Sequence, residues 1–365
     1  MSRKPLAFAA LAAMTMLPLA AIAQAGPYKI INTVKIGGDG GFDYVTADPD
    51  SRTLIVARSG AAGHIGFYNI DTLAQIGDIP GVSSHGGIMD TKTGHGFATS
   101  KPITMFDAKT FVVIKKIEVQ GNPDGYLNDT VNHRFYDLSH SSPNITVIDD
   151  TDGSILTTID IGGAPEQAVF DGKNKIYVDI EDKDAIAIID ATTMKMTGKY
   201  DLSSKGGGCA GLAMDTKNNI LFAACRDKKN MIILSATDGK IITDLPIGNG
   251  CDGAIFNPAT MEIFSSQGDS TLTVIKENSP SNFAVEQTVS TPRGAKTLTL
   301  DPKTNHIYLI AAEYGPMPAP PPAAVPATAP AAAASTAPAA PPAERPRGGR
   351  PPMIPGSFSI IVVGK

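Results

Sequence analysis

The sequence predicts an all-β protein, a seven-bladed β-propeller with four strands in each blade. Short runs rich in Ile, Val and Tyr alternate with turns of Asp, Asn and Gly, a pattern typical of strands and hairpins rather than helices. The turn after the first strand of each unit recurs with spacings of 42, 39, 42, 44, 42 and 44 residues. A period in the low forties with four strands per unit is typical of propeller blades. The turns begin at Asp48, Asp90, Asp129, Asp171, Asp215, Asn257 and Asp301.

The unit over residues 164–202 illustrates the repeat. Polar turns separate its four apolar runs, which are Gln167–Phe170, Ile176–Ile180, Ala185–Ile189 and Met196–Leu202. Two domains would be usual for a chain of 365 residues, but stacked repeats form a single closed body. We therefore expect one propeller domain over residues 26–365.

The two ends of the chain are expected to share the last blade. The seventh unit begins with Thr297–Leu300 and His306–Ile310, and its third strand is expected at Phe358–Val363. Tyr28–Ile36 is an isolated strand with no unit of its own. We expect it to supply the fourth strand of the last blade, because this pairing covers an otherwise exposed sheet edge. A β-solenoid is the alternative, but it needs much shorter coils and end caps.

Residues 1–25 are expected to be a secretory signal peptide. Two basic residues precede an apolar run over Leu6–Ile22, and small residues allow cleavage near Ala23 or Ala25. An uncleaved membrane anchor is the alternative. No later segment is long and apolar enough to span a bilayer, so we expect a periplasmic or secreted protein without a membrane span after cleavage.

The charge balance argues against nucleic-acid binding. The formal net charge is −5, and removing Arg3 and Lys4 with the signal peptide changes it to −7. A protein that binds the phosphate backbone normally carries a basic face. We therefore expect no nucleic-acid partner.

A Pro- and Ala-rich segment interrupts the last blade over residues 316–355. Proline cannot donate to a strand ladder, so we expect a disordered or polyproline II insertion between the second and third strands. Arg345, Arg347 and Arg350 give its end a local positive charge. The insertion is either solvated and without a role, or a tether or lid that contacts a partner, an envelope polymer or a bound ligand.

Two short motifs stand out in the fourth unit. Lys175–Val178 reads Lys-Ile-Tyr-Val after an Asp-Gly turn, and Ile188–Thr193 reads Ile-Ile-Asp-Ala-Thr-Thr at the next hairpin. These motifs resemble those of the YVTN-type β-propellers and, more narrowly, of an exported YncE-like family. The sequence on both sides of the Pro-rich segment, Ala312–Gly315 and Pro355–Phe358, is similar to the same group. The resemblance implies an extracytoplasmic propeller but no shared reaction. The related propellers it implies include lactone hydrolases, cofactor-carrying redox domains and plain binding modules.

One position on the first strand of the blades is occupied almost entirely by ionisable residues. In a propeller this strand lines the central channel. Five residues before the turn, six of the seven blades carry an acid or a base. Half-buried charges need partners, so a ring of them at the channel mouth predicts a polar ligand site or a metal site. The seven residues are Asp43, His85, Asp124, Glu166, Ala210, Asp252 and Lys296.

His85, Asp124 and Glu166 come from consecutive blades and are the candidate metal ligands. One imidazole with two carboxylates suits a divalent transition metal with open positions, whereas carboxylates alone would favour calcium or magnesium. Such an ion would lower the pKa of a bound water and polarise a carbonyl for hydrolysis. Asp43 and Asp252 would complete the pocket or act as a general base. Alternatively, these side chains bond only to local backbone groups in turns.

Lys296 and Arg293 bring positive charge to the last blade. They either hold a carboxylate or phosphate group of a ligand, or they neutralise Asp252 and Asp43. We favour neutralisation and retain all four residues in the predicted ligand-binding ring.

The three cysteines predict one disulfide, which export permits. Cys209 opens the first strand of the fifth blade and Cys225 ends the second, so the hairpin places them opposite each other. Opposed residues come within the roughly 4.4–6.8 Å Cα separation that a disulfide needs. We expect Cys209–Cys225 to be bonded and Cys251 to be free, with Cys209–Cys251 as the alternative. The sequence has no haem-attachment motif, zinc-type cysteine spacing, Gly-x-Ser-x-Gly elbow or phosphate-binding loop.

Three functions fit these observations. The first is a monomeric binding or interaction scaffold that uses the charged channel mouth to hold a protein or small-molecule ligand in the cell envelope. The second is a metal-dependent hydrolase of lactone type centred on the acidic ring. The third is an accessory protein of an envelope redox or metal-handling system. We favour the first, because the motifs for covalent catalysis and for haem attachment are missing.

Overall fold

The computed structural model describes residues 26–316 and 351–365. Within these ranges the chain forms seven four-stranded antiparallel sheets and a single 3-10 turn at Glu181–Lys183. The sheets follow one another along the chain as blades, and the inner strands of adjacent blades lie side by side around a central channel. The prediction of an all-β, seven-bladed propeller is confirmed.

The blades are numbered in chain order, with the first strand of each at the channel. Blade 1 contains β2 (Gly41–Asp48), β3 (Thr53–Ser59), β4 (His64–Asn69) and β5 (Gln75–Pro80). Blade 2 contains β6 (Ser84–Asp90), β7 (His95–Ser100), β8 (Ile103–Asp107) and β9 (Val113–Ile117). Blade 3 contains β10 (Pro123–Asp129), β11 (Arg134–Ser139), β12 (Ile145–Asp149) and β13 (Ile155–Ile159). Blade 4 contains β14 (Pro165–Phe170), β15 (Lys175–Ile180), β16 (Ala185–Asp190) and β17 (Lys195–Asp201).

The remaining three blades follow the same pattern. Blade 5 contains β18 (Cys209–Asp215), β19 (Ile220–Cys225), β20 (Asn230–Ser235) and β21 (Ile241–Pro246). Blade 6 contains β22 (Cys251–Asn257), β23 (Glu262–Gln267), β24 (Thr271–Ser279) and β25 (Asn282–Ser290). Blade 7 contains β26 (Lys296–Asp301), β27 (His306–Ala311), β28 (Ser359–Gly364) and β1 (Lys29–Lys35).

Both ends of the chain close blade 7, as the sequence predicted. Its strand order is β1-β28-β27-β26, so the N-terminal strand lies at the outer edge. Lys29 pairs with Gly364 and Lys35 with Ser359 in an antiparallel ladder. The ladder gives the outer edge of β28 a partner, which the seventh unit would otherwise lack.

Glu262 of blade 6 contacts residues at both ends of the chain, in addition to the ladder of blade 7. Its buried carboxylate accepts a hydrogen bond from the Tyr28 hydroxyl and lies 3.0 Å from Lys365 Nζ. The Gln287 side-chain amide also exchanges hydrogen bonds of 2.9 and 2.7 Å with the Tyr28 backbone. Side chains of blade 6 therefore hold residues from both ends of the ladder in blade 7.

The core consists of apolar layers between adjacent blades. Packed sheets bury both faces of their middle strands, and aromatic rings meet in these layers. Phe97 of blade 2 stacks on Phe135 of blade 3 with ring centroids 4.7 Å apart. On the channel side the blades come much closer to each other. A Cβ atom on Gly211 would lie only 2.7 Å from the carbonyl carbon of Gly253. Only glycine allows this approach between β18 and β22.

The expected signal peptide at residues 1–25 and residues 317–350 of the expected insertion lie outside the described residues. The two stems of the insertion pair with each other at the channel-mouth side of blade 7. Gly315 N donates to Pro352 O and Ile354 N to Glu313 O, both at 2.8 Å. Among the described residues, no helix has the length and apolarity needed to cross a membrane.

Candidate functional site

Every inner strand is irregular at its channel-mouth end. In each described blade, the register against the second strand shifts there. The shift lies between Ser84 and Gly87 in β6, and between Pro123 and Tyr126 in β10. A bulge bends its strand and changes the direction of a side chain. The ring residues lie in or beside these bulges, so successive blades direct them into a common space.

At the channel mouth, acidic and basic side chains alternate in a closed ring. Each member lies within 4 Å of both neighbours, and the members line one cavity of about 250 Å³. We call this set the charged ring. In order it contains Asp43, His85, Asp124, His140, Glu166, Arg226, Asp252 and Lys296.

One half of the charged ring contains both histidines. His85 Nδ1 lies 3.2 Å from Asp43 Oδ2 and 2.9 Å from Asp124 Oδ1. His140 Nε2 lies 3.0 Å from Asp124 Oδ2 and 3.7 Å from Glu166 Oε1. Each imidazole nitrogen therefore faces two carboxylates, and Asp124 lies between the two rings.

The other half of the charged ring contains the permanent cations. Arg226 lies 2.8 Å from Asp252 Oδ1 and 3.7 Å from Glu166 Oε1, and it forms a further ion pair with Glu181. Lys296 Nζ lies 2.8 Å from Asp252 Oδ2 and 3.1 Å from Asp43 Oδ1. The predicted neutralisation of Asp252 and Asp43 by Lys296 is therefore present as direct contacts.

The electrostatics differ between the two halves. Asp124 and Asp43 raise the pKa of His85 to about 10. Burial and the neighbouring carboxylate of Glu181 raise the pKa of Glu166 to about 9. Burial acts against ionisation of Asp43, but His85 and Lys296 outweigh it and the pKa of Asp43 lies below its ordinary value. At neutral pH the site without ligand thus contains a charged His85, an ionised Asp43 and a protonated Glu166.

The six ionisable residues predicted at the repeated position converge, and Arg293, the further member of the predicted ligand-binding set, lies beside them. Arg293 lines an adjoining cavity of about 350 Å³, which shares Asp252 and Lys296 with the charged ring. Phe42 and Tyr314 form aromatic walls of this cavity. Arg293 makes no ion pair or hydrogen bond with any described residue, so it does not neutralise the acids of the ring.

The predicted metal set is divided by the geometry. His85 and Asp124 are in contact, but Glu166 approaches His140 instead of His85. Two groups of possible donors result, each with all donor atoms within 4.8 Å of one another. One group contains Asp43, His85 and Asp124, and the other contains Asp124, His140 and Glu166.

Sequence reasoning missed His140 and Arg226, and with them half of the basic members of the ring. Both follow the second strand of their blades, β11 and β19, in loops that reach the same channel mouth. A signal for them existed, since each lies eleven residues after the turn of its own blade. Only the position before the turn was compared between blades.

Tyr44 is a further residue of the site that no sequence pattern indicated. Its hydroxyl reaches across the channel from blade 1 to blade 4 and donates to Glu166 Oε2 at 3.4 Å. Its ring packs edge-on against Tyr126, with centroids 5.4 Å apart. The contact of Tyr44 with Glu166 therefore places this aromatic pair beside the charged ring.

The cysteines lie directly beside the charged ring. Cys209 and Cys225 are opposed in the ladder and form a disulfide, with Cα atoms 3.7 Å apart, closer than the expected window. Cys251 is the free thiol and donates to Ala224 O at 3.1 Å, while burial raises its pKa to about 12. The predicted pairing is confirmed and the alternative pairing with Cys251 is absent. Since Cys225 precedes Arg226, the disulfide fixes the strand end that presents this cation.

Comparison with known proteins finds a likeness in fold only. No model of a known protein family matches the chain, and no curated protein matches it. Among solved structures, a chain in the crystal structure of the mitotic checkpoint complex is similar, with a TM-score of 0.65 and 13% sequence identity. The match covers 85% of this chain and 96% of that chain. At this identity the likeness shows a shared propeller fold alone.

Proposed function

We propose that this protein is an exported binding propeller of the YncE-like type, which holds a small carboxylate ligand at its channel mouth. One observation carries the proposal. The charged ring opens beside a cavity lined by Lys296 and by Arg293, which has no partner among the described residues. Propellers commonly serve as interaction scaffolds with ligands at one end of the channel.

The adjoining cavity suits an anion with an apolar body. Arg293 offers a planar fork of donors that matches a carboxylate. Phe42 and Tyr314 provide apolar surface on the same cavity. Gly250 and Gly268 also line it, and because they have no side chain, their backbone groups are open to a ligand. A ligand of this class would exchange its water shell for one charged contact and aromatic packing.

Titration calorimetry with benzoate and hexanoate, on protein stripped of metal by a chelator, tests the proposal. We expect saturable binding at the channel mouth, with Arg293→Gln weakening it at least tenfold, since a charge-assisted hydrogen bond contributes about 1.5–3 kcal/mol. Lys92→Gln is the matched control, because Lys92 is an exposed cation in a turn at the opposite end of the channel. Absent binding, or equal affinity for the two variants, would refute the proposal.

A metal-dependent lactone hydrolase is the second candidate, favoured by the two donor groups of the charged ring. Hydrolysis adds water across the ester C–O bond and gives a hydroxy acid, whose carboxylate would suit Arg293. A lactone and ester screen with and without added Mn²⁺ or Zn²⁺ tests this candidate. Turnover that requires metal and is lost in Asp124→Asn would support it, and a rate equal to buffer would exclude it.

We also propose that the protein is exported and monomeric. The disulfide between Cys209 and Cys225 is compatible with an oxidising compartment. Cell fractionation of the full-length chain, with mass determination of the mature N-terminus, tests export and cleavage. Light scattering tests the oligomeric state.

A further inference from the structure

Each histidine of the charged ring has one ring nitrogen near two carboxylate oxygens, and a single proton on that nitrogen cannot hydrogen-bond well to both. Each directs one nitrogen at two carboxylate oxygens, at 3.2 and 2.9 Å for His85 and at 3.0 and 3.7 Å for His140. A single N–H donates along one direction, so one of the two oxygens is left with a contact but without a linear hydrogen bond. A cation placed between the nitrogen and both oxygens would serve all three atoms at once.

The distances fit shared coordination. Donor atoms about 2.1 Å from a common transition-metal ion lie about 3.0 Å apart in an octahedron and about 3.4 Å apart in a tetrahedron. The four nitrogen–oxygen separations, from 2.9 to 3.7 Å, span this range. Ion pairs have similar separations, so these distances alone do not distinguish a metal site from a set of ion pairs.

A second observation is the state of Asp124. The residue is only 7% exposed, and its Oδ1 atom accepts no well-directed hydrogen bond from the described residues, because His85 Nδ1, 2.9 Å away, bonds to Asp43 Oδ2 instead. A buried carboxylate oxygen that has a contact but no directed donor is only partly stabilised. Oδ1 faces His85 and Oδ2 faces His140, so the two oxygens of one carboxylate are directed into two different donor groups.

We infer that the charged ring forms a two-metal centre for divalent first-row transition ions, bridged by the Asp124 carboxylate. The first ion is held by Asp43, His85 and Asp124, and the second by Asp124, His140 and Glu166. One imidazole nitrogen and two carboxylate oxygens at each ion suit Mn²⁺, Fe²⁺ or Zn²⁺. Open positions of both ions face the cavity, and paired ions about 3.5–4 Å apart are typical of hydrolytic and phosphoryl-transfer sites.

Side chains around the carboxylate donors hold them in position, as is usual around the ligands of a metal site. Lys296 Nζ contacts Asp43 Oδ1 at 3.1 Å and leaves Oδ2 directed toward His85. The Tyr44 hydroxyl donates to Glu166 Oε2 and leaves Oε1 directed toward His140. Hydrogen bonds to the outer oxygen of each carboxylate fix the direction of the inner oxygen, as is usual around metal ligands.

The backbone makes the bridge rigid. Gly125, directly after Asp124, lies so close to the Glu166 carbonyl that a Cβ would be 2.6 Å from the oxygen. The bulges of β10 and β14 are therefore packed together, and the separation between the two donor groups is fixed before any ion binds. The inference goes beyond the binding function and does not depend on it.

Metal stoichiometry tests the inference without any ligand. The purified full chain is stripped with a chelator, loaded separately with Mn²⁺, Co²⁺ or Zn²⁺, and freed of excess ion before elemental analysis. We expect two ions per chain. His85→Ala and His140→Ala should each retain one ion, whereas Asp124→Asn should lose at least tenfold in affinity at both positions. His306→Gln, at the opposite end of blade 7, is the matched control and should retain two.

Spectroscopy then tests the bridge. Two Mn²⁺ ions joined by a carboxylate are spin-coupled, so the fully loaded protein should lose the six-line resonance of isolated Mn²⁺, and His140→Ala should restore it. Circular dichroism of each variant checks that the propeller is folded. No bound metal, or one ion that both histidine variants abolish, would overturn the inference. Neither result would affect benzoate binding, which is measured on metal-free protein.

Discussion

Replacing Lys296 with Met removes the one ammonium that separates Asp43 from Asp252. The ammonium lies 3.1 Å from the first carboxylate and 2.8 Å from the second, and Met has a similar length without charge. Breaking a fully buried ion pair costs about 3–5 kcal/mol. The side chains here are 29%, 23% and 19% exposed, so solvent screens part of this energy. We expect a loss of about 2 kcal/mol at pH 7.

The loss should depend on pH in a defined way. The pKa of Asp43 is lowered, so its contribution is present above the unfolded value of about 3.9 and is lost as pH falls through the folded value. The pKa of Lys296 is raised, so its contribution is present below about 10.4 and is lost as pH rises through the folded value. The difference between wild type and Lys296→Met should therefore be largest between about pH 4 and pH 10.

Differential scanning calorimetry measures this difference. For a chain of this size, 2 kcal/mol corresponds to a decrease of about 3 °C in Tm at pH 7. At pH 3 the decrease should be smaller, because Asp43 is then largely protonated in the unfolded chain and part of its contribution is lost. Asp252→Asn in the Lys296→Met background should recover part of the loss, since it removes one unpaired charge. An equal decrease at both pH values, or an increase in Tm at pH 7, would refute this account of the ring.

Other predictions concern the closure, the disulfide and the histidine. Glu262→Ala removes the buried carboxylate that holds both chain ends, so we expect a loss of about 3 kcal/mol and faster release of an N-terminal fragment in limited proteolysis. Reducing the Cys209–Cys225 disulfide should cost up to about 3 kcal/mol, as its loop spans about 16 residues, and urea melts with and without reductant measure it. In metal-free protein the His85 imidazole should remain charged up to about pH 9, and Asp124→Asn should shift its NMR titration toward the ordinary pKa of about 6.5. The raised pKa of His85 contributes fully to the stability of the fold below about pH 6.5. This contribution is lost as pH rises through about 10.

Much of the fold could be predicted because each blade repeats the same local chemistry. Turn residues at a constant period locate the first strand, and its channel-mouth position follows by counting back from Asp48 or Asp171. The isolated N-terminal strand had one open partner, β28, so the closure was also accessible from sequence. These predictions needed only hydrogen-bond pairing and periodicity.

The partners within the site could not be predicted in the same way. Which carboxylate meets which base depends on the bulges and on loop conformation, and neither leaves a regular pattern in the sequence. Glu166 was expected to share a metal site with His85 and Asp124, yet His140 lies between Asp124 and Glu166 because the loop after β11 reaches the channel mouth. Contacts across the channel, such as that of Tyr44 with Glu166, join blades whose sequence separation carries no signal.

The shared last blade has a consequence for how the protein reaches its native state. Lys29 and Gly364 pair directly, although about 330 residues separate them, so closing this loop costs about 5 kcal/mol of chain entropy. β1 therefore stays without a partner until β28 joins the last blade. Until then six blades can form from local hairpins, while β1 and the outer edge of the nascent seventh blade remain open. Such a topology makes ring closure the final, slow step and leaves the exposed strand edges as the point where a chaperone would act.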